Sequence, residues 1–262
     1  MIHICIPVHD EAGTIGILLW KIRKVMAEFG RDYEIVVLDD ASTDGTAQVL
    51  DRYRRVLPLR TLRSETRSGY AAATERLLRD VADRSRYPKR DLAVTLQGDF
   101  TEDPEDLVAM VKAVEGGADL VVGQLGAGSA GITRPLRAAR WMARMLVGSG
   151  RGAPVSEPMC GFRAYRLVVL RKAFREAEPQ GDAVAASEAT ATPGGPKPTG
   201  GWAANVLMLA RTAPHARRID EAPYTLRLDP RARPTRLEVM EELKGLFPLR
   251  KVRWVNPAAE AA

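Results

Sequence analysis

Short apolar runs alternate along the chain with longer stretches in which apolar residues recur at every third or fourth position. Runs of the first kind predict buried strands, and stretches of the second kind predict amphipathic helices. The strands are predicted at 2–8, 33–38, 59–62, 92–96, 119–123, 159–165 and 218–226, and the helices at 14–29, 46–56, 69–82, 104–114, 135–147, 166–174, 202–211 and 237–247. This alternation indicates an α/β fold, a mostly parallel sheet flanked by helices.

Acidic residues stand at the ends of three predicted strands. They are Asp10 and Glu11 after the first strand, Asp39 and Asp40 at the end of the second, and Asp99 after the strand at 92–96. The carboxyl ends of parallel strands meet at one edge of a sheet, where open α/β sheets bind ligands, so we expect these carboxylates to share a site. Their oxygen atoms suit a hard cation such as Mg²⁺ or Mn²⁺.

Composition narrows the range of partners. The 262 residues include 39 basic and 33 acidic side chains, and the net charge of +6 favours anionic partners such as nucleotides, phosphates or an acidic membrane surface. Aromatic residues make up 6% of the chain and do not interleave with a basic stripe, so we expect no nucleic-acid binding. Without an apolar run of about 18 residues or a signal peptide, the expected location is cytoplasmic. The pattern makes no prediction of oligomeric state.

The sequence predicts one domain over residues 1–225 and a basic amphipathic C-terminal extension over 226–262. Within the domain, residues 177–200 are poor in bulky apolar groups and rich in Pro, Gly, Ala and Thr, which predicts a mobile loop. Four arginines lie near one side of the helix predicted at 135–147, namely Arg134, Arg137, Arg140 and Arg144. Such a row is typical of a solvated face, and contact with a phosphate or lipid headgroups is the alternative.

A glycine-rich hexapeptide, Gly126–Gly131, follows the strand predicted at 119–123 and matches the G-x-G-x-x-G pattern. In dinucleotide-binding proteins this motif opens a helix directly after the first strand, and an acidic residue follows about 20 residues later. Here the motif lies mid-chain and lacks that acidic residue, so we favour a flexible loop. An NAD(P)-dependent oxidoreductase stays open as an alternative.

Five ordered segments resemble the motifs of family 2 glycosyltransferases, and most closely those of polyprenyl-phosphate sugar synthases of the dolichol-phosphate-mannose synthase type. The segments are Ile6–Glu11, Val37–Thr46, Gln97–Asp99 with Asp103–Glu105, Cys160–Tyr165 and Glu221–Pro223. The resemblance implies a GT-A fold and an inverting transfer from a UDP- or GDP-sugar to a polyprenyl phosphate at a membrane surface, with peripheral attachment there as an alternative to a purely cytoplasmic location. A soluble hydroxyl acceptor and a non-catalytic sugar-nucleotide-binding protein remain alternatives.

The resemblance also implies roles for individual residues. The nucleotide-sugar pocket would contain Pro7, His9, Glu11, Asp39, Asp40 and Gln97, with Arg231, Arg233, Arg236 and Arg163 neutralising the departing diphosphate. Asp99 corresponds to the last Asp of a D-x-D metal motif. Gln97 stands at the first position, where its amide oxygen can coordinate Mg²⁺ or Mn²⁺ but adds no charge. Glu157 is the candidate general base, with a loop salt bridge as its alternative.

Overall fold

A computed structural model describes residues 1–129, 131–148, 152–176, 201–228, 239–252 and 254. The loop predicted at 177–200 and three arginines assigned to the diphosphate, Arg231, Arg233 and Arg236, lie outside the described residues. In the part that is described, no helix has both the length and the apolar character to cross a bilayer.

Seven strands form one sheet in the spatial order β3-β2-β1-β4-β6-β5-β7. Their bounds are β1 Ile2–Val8, β2 Tyr33–Asp40, β3 Leu59–Ser64, β4 Leu92–Thr95, β5 Leu120–Leu125, β6 Arg163–Arg166 and β7 Ile219–Tyr224. All neighbouring pairs are parallel except those that involve β6. The predicted mostly parallel α/β sheet is therefore confirmed.

Strand β6 differs from its prediction in extent and direction. Residues 159–162, predicted to be strand, lie before it, and β6 runs antiparallel to both β4 and β5. Its first residue, Arg163, pairs with Thr95 at the end of β4. The chain thus enters β6 from the edge formed by the carboxyl ends of the other strands, here called the carboxyl edge. Residues 159–161 are left at that edge as irregular backbone.

Eight helices are described, close to the predicted positions. They are α1 Ile15–Phe29, α2 Thr46–Tyr53, α3 Tyr70–Arg84, α4 Leu107–Glu115, α5 Arg134–Val147, α6 Leu167–Arg175, α7 Gly201–Thr212 and α8 Val239–Leu246. Helix α1 ends at Gly30, whose φ of 65° is the left-handed conformation typical of a helix stop. Asp103 accepts a hydrogen bond from the Glu105 backbone at 3.1 Å and so caps the short 3-10 helix before α4.

Two hydrophobic clusters stabilise the domain. The larger one packs the sheet against helices on both faces and includes the buried free thiol of Cys5. The smaller one joins α5, α7, α8 and the 3-10 segment Phe247–Lys251 around Trp202 and Leu246. Trp254 is partly buried and packs against both clusters. The described end of the C-terminal extension therefore packs on α5 and α7.

Candidate active site

A cavity of about 320 Å³ lies at the carboxyl edge of the sheet. It is lined by residues at or just after the ends of β1, β2 and β4 and by residues of α5, α7 and α8. Six of the residues assigned to a site from sequence line this cavity: Pro7, His9, Glu11, Asp40, Gln97 and Asp99. The structure thus brings together the ends of β1, β2 and β4.

The chain turns sharply after three of these strands. Asp10 after β1, Ala41 after β2 and Phe100 after β4 adopt positive φ angles of 52°, 57° and 64°. Such a conformation is uncommon for residues other than glycine, and strained backbone clusters at functional sites. Between β4 and the last of these turns, Gly98 lies so near β1 that a Cβ atom would be 2.6 Å from Val8 Cγ1. The ends of β1 and β4 are therefore held in close contact.

The two aspartates at the end of β2 have different surroundings. Asp40 lines the cavity, and its carboxylate accepts hydrogen bonds from the Ser68 amide (2.9 Å) and hydroxyl (2.7 Å) and from the Gly69 amide (2.7 Å). Asp40 therefore fixes the loop that starts α3. Asp39 is buried, and its Oδ1 accepts from the Ser42 amide at 2.9 Å. Its Oδ2 makes no hydrogen bond among the described residues, and the nearest cation is Arg63 Nε at 3.8 Å.

The loop after β1 is tied to the loop after β2. His9 Nδ1 lies 2.8 Å from the Asp40 carbonyl oxygen, and the Asp10 carboxylate accepts from the Thr43 amide at 2.7 Å. The Thr43 hydrogen bond lowers the pKa of Asp10 below its usual value. Glu11 accepts from the Thr14 hydroxyl at 2.7 Å at the start of α1. Together these contacts give the floor of the cavity a fixed shape.

After β4, four polar residues line the cavity within six positions: Gln97, Asp99, Thr101 and Glu102. Asp99 Oδ1 accepts from the Thr101 backbone amide (3.1 Å) and hydroxyl (2.7 Å), and the backbone N–H of Gln97 donates to Glu102 Oε2 at 2.8 Å. Glu102 is only 3% exposed. Burial raises the pKa of Glu102 to about 8; the Gln97 hydrogen bond opposes the rise and the negative charge of Asp99 adds to it.

The residues after β4 offer a limited set of metal ligands. Among the described residues, no group of three or more His, Cys, Asp or Glu side chains is arranged to hold a metal ion. Asp99 supplies one carboxylate and Gln97 one amide oxygen. This set fits a Mg²⁺-like cation that takes its remaining ligands from water and a diphosphate.

Glu157 and Arg163 do not line the cavity. Glu157 forms a salt bridge with Arg140 of α5, and it is Arg140 that lines the cavity. Arg163 is buried and donates hydrogen bonds to the backbone carbonyls of Asn205 (2.8 Å) and Pro158 (2.7 Å). Its guanidinium therefore holds the segment before β6 against α7, in place of the contact with a diphosphate expected from the sequence.

The model of glycosyl transferase family 2 matches residues 3–174, more than half of the chain. The chain belongs to this family. Its fold confirms the GT-A expectation: the structure aligns over 99% of this chain and 69% of the other with S. aureus TarS in complex with UDP-GlcNAc, at TM-score 0.57 and 14% identity. A glucosyl-3-phosphoglycerate synthase from Mycobacterium tuberculosis, in complex with Mn²⁺, UDP and glucosyl-3-phosphoglycerate, aligns at TM-score 0.53 and 20% identity over 94% of this chain and 76% of that chain.

Curated relatives of this family 2 domain act on lipid phosphates according to their names. A dodecaprenyl-phosphate galacturonate synthase of Rhizobium johnstonii is 26% identical over 170 residues, and an undecaprenyl-phosphate 4-deoxy-4-formamido-L-arabinose transferase of Edwardsiella ictaluri is 27% identical over 183. The alignments cover 64% and 65% of this chain but 48% and 50% of the relatives. The chain thus spans about half the length of these relatives.

Sequence reasoning missed several residues that line the cavity of this family 2 domain, among them Glu102, Arg67, Tyr70, Asn205 and Glu242. Most of these residues belong to a loop or a helix, where the pattern of apolar and polar positions does not distinguish cavity-lining residues from other surface residues. Tyr70 donates a hydrogen bond to the Asn205 side chain at 3.0 Å, which links α3 to α7. Arg140 belongs to the row for which the sequence predicts a solvated face, with contact with a phosphate or headgroups as the alternative. In the structure Arg134, Arg137 and Arg144 are exposed, whereas Arg140 turns inward.

The glycine loop Gly126–Gly131 does not resemble a dinucleotide cradle. None of its described glycines lines the cavity, and the Gly126 amide donates to the Tyr224 carbonyl of β7 at 2.8 Å. Helix α5 begins only at Arg134, after a cap by the Thr133 hydroxyl. The loop therefore runs beside β7 and does not present its amides at a helix start, which argues against the oxidoreductase alternative.

Proposed function

We propose that this chain is an inverting glycosyltransferase that moves a sugar from a UDP- or GDP-sugar to a polyprenyl phosphate. The observation that carries the proposal is the cavity at the carboxyl edge of a family 2 domain, which strand-end carboxylates and Arg140 line together. Complexes of the structural neighbours with UDP and UDP-GlcNAc support a nucleotide-sugar donor. The names of the relatives support a polyprenyl-phosphate acceptor.

In the proposed reaction the donor nucleotide lies over the ends of β1 and β2. Asp39 Oδ2 is a buried acceptor without a hydrogen bond among the described residues, and it suits an N–H group of the base. Asp40 keeps Ser68 and Gly69 in place, and the exposed Arg67 beside them lines the cavity. A guanidinium at that position suits the diphosphate.

Asp99 and Gln97 would hold a Mg²⁺ or Mn²⁺ ion together with the diphosphate. When bound, such an ion supplies charge stabilisation to the departing diphosphate. Because Gln97 brings no charge, we expect Gln97→Asp to tighten Mn²⁺ binding, measured by calorimetry with UDP present. The exposed Gln48→Asp in α2 is the matched control, and equal effects of both changes would contradict the assignment.

Transfer then needs one new bond and one broken bond. An oxygen of the acceptor phosphate attacks the anomeric carbon as the bond from that carbon to the diphosphate breaks, and the nucleoside diphosphate leaves with the electron pair. A phosphate acceptor is already anionic, so no general base is needed. We assign Arg140 to the acceptor phosphate and Glu157 to holding Arg140 in place, because their salt bridge is almost fully buried.

Calorimetry and a transfer assay test the proposal. We expect the purified chain to bind UDP or GDP and to release it from a matching nucleotide sugar when undecaprenyl phosphate and Mn²⁺ are supplied. Asp99→Ala should abolish turnover, whereas Asp51→Ala, a change at an exposed carboxylate in α2, should not. Absence of binding to any nucleoside diphosphate would overturn the function, and transfer only to a soluble alcohol would overturn the acceptor.

A further inference from the structure

Helix α5 exposes an unusual amount of apolar surface. Trp141 is 63% exposed, Met145 60% and Met142 42%. Exposed apolar side chains that occur singly are normal, but a contiguous group of them marks an interaction site. Trp141 and Met145 are four residues apart and therefore neighbours on one face of the helix. This group, together with the arginines described next, is called the α5 face.

The α5 face is strongly basic. Arg137 lies four residues before Trp141 and Arg144 three residues after it, so both flank the indole ring, and Arg134 lies one turn further toward the start of the helix. All three are exposed, and α5 contains no acidic residue. Within the described part of the chain, no ion pair involves these three arginines. An apolar centre with an unneutralised basic border is complementary to an anionic lipid surface.

The opposite side of α5 is fixed to the domain. Ala139 and Ala143 are buried in the smaller hydrophobic cluster, and Leu136 and Arg140 line the cavity. One side of α5 thus forms part of the cavity wall, and the other side is the α5 face. Arg140, on the first side, directly precedes Trp141, on the second. The neighbouring segment adds Phe247, 57% exposed, with the Arg250 guanidinium 4.1 Å from its ring centre.

We propose that the α5 face docks on the anionic surface of a lipid bilayer. Trp141 and Met145 enter the boundary between headgroups and acyl chains, while Arg134, Arg137 and Arg144 contact the headgroups. The inference rests on the proposed function in one respect: an acceptor phosphate at the bilayer surface is then brought to Arg140 by the helix that binds the membrane.

Co-sedimentation with vesicles tests the docking. One set of vesicles is phosphatidylcholine, and the other contains phosphatidylglycerol as well. We expect binding to the second set, weakened by salt. Trp141→Ser should weaken it about tenfold or more, and Arg137→Gln or Arg144→Gln about fivefold each. The matched control is Trp20→Ser in α1, which is 54% exposed and should bind like the unaltered chain.

The outcomes separate the docking from the function. If the unaltered chain ignores anionic vesicles yet binds UDP or GDP by calorimetry, the docking proposal fails alone. If it binds vesicles but no nucleoside diphosphate, the proposed function fails and the docking surface stands. Equal losses in Trp141→Ser and Trp20→Ser would overturn the α5 face as the docking site. So would a dimer, seen by light scattering, that Trp141→Ser dissociates without any vesicle binding. Circular dichroism confirms that the variants fold.

Discussion

Glu102 is the titratable group whose perturbation tests the site most directly. Its pKa is raised from 4.5 to about 8 because burial disfavours the charged form. In the unfolded chain the carboxyl ionises near its ordinary pKa, so between about pH 4.5 and 8 the folded protein holds a proton that the unfolded chain has lost. Stability should therefore fall as pH rises through this window, by about 1.4 kcal/mol per pH unit from this group.

The Glu102→Gln variant should remove that dependence. Glutamine keeps an acceptor for the backbone N–H of Gln97 but does not ionise, so its contribution to stability does not change with pH. Across the window the difference between the two proteins should grow to at most about 5 kcal/mol in favour of the variant. Below about pH 4.5 the carboxyl of Glu102 is protonated in the unfolded chain as well, so it is as neutral as the glutamine. The free energies of unfolding of the unaltered chain and of Glu102→Gln should converge there.

Urea unfolding from pH 5 to 8.5, without divalent cations or nucleotides, measures the difference. Glu105→Gln is the control, because the Glu105 side chain is exposed beside Lys21 and its pKa is lowered. It is ionised in both states across this window and should leave the slope unchanged. Parallel stability profiles for the unaltered chain and Glu102→Gln would refute the reasoning, since they would mean that Glu102 is not held neutral.

Three further predictions concern the walls of the cavity. Gly98→Ala should weaken nucleotide binding in calorimetry because its methyl group meets Val8, whereas Gly13→Ala, with open space around it, should not. Asp40→Asn should lower the free energy of unfolding in urea by about 1–3 kcal/mol, through weaker bonds to the α3 loop. Arg140→Met should lower the free energy of unfolding by about 3–5 kcal/mol, because it leaves the carboxylate of Glu157 without its partner. The double variant with Glu157→Gln should regain stability in urea unfolding but should not regain transfer to polyprenyl phosphate.

Much of the fold follows from local pattern. Strands β1, β2 and β4 are mostly apolar runs with polar residues at or directly after their ends, and α1 stops at a glycine. The position and the type of these elements are therefore both encoded in the local sequence. The direction of β6 is not. An apolar run looks the same in either direction, and here the chain reverses because residues 159–161 enter from the carboxyl edge.

The site was predictable only in part, for a related reason. Carboxylates at strand ends meet because the sheet is parallel, which the sequence pattern already indicates. Burial of Glu102 depends on a bridge with Leu226, more than a hundred residues away, and the inward turn of Arg140 depends on Glu157. Contacts between segments that are separate in sequence thus decide which polar residue of an otherwise exposed stretch is buried. Local hydrophobic periodicity carries no information about such contacts.

These contacts also change how the charge of the site is counted. Gln97 is neutral, and a pKa of about 8 keeps Glu102 protonated at neutral pH. In the proposed reaction, Asp99 would then be the one charged carboxylate of this group that faces a cation bound with the diphosphate. The proposed reaction brings two anions into one cavity, a nucleoside diphosphate and a lipid phosphate. One charged carboxylate among residues 97, 99 and 102 repels these anions less than three would, and Arg67 and Arg140 line the cavity to attract them. The loss of charge at position 97 is thus consistent with catalysis on an anionic acceptor.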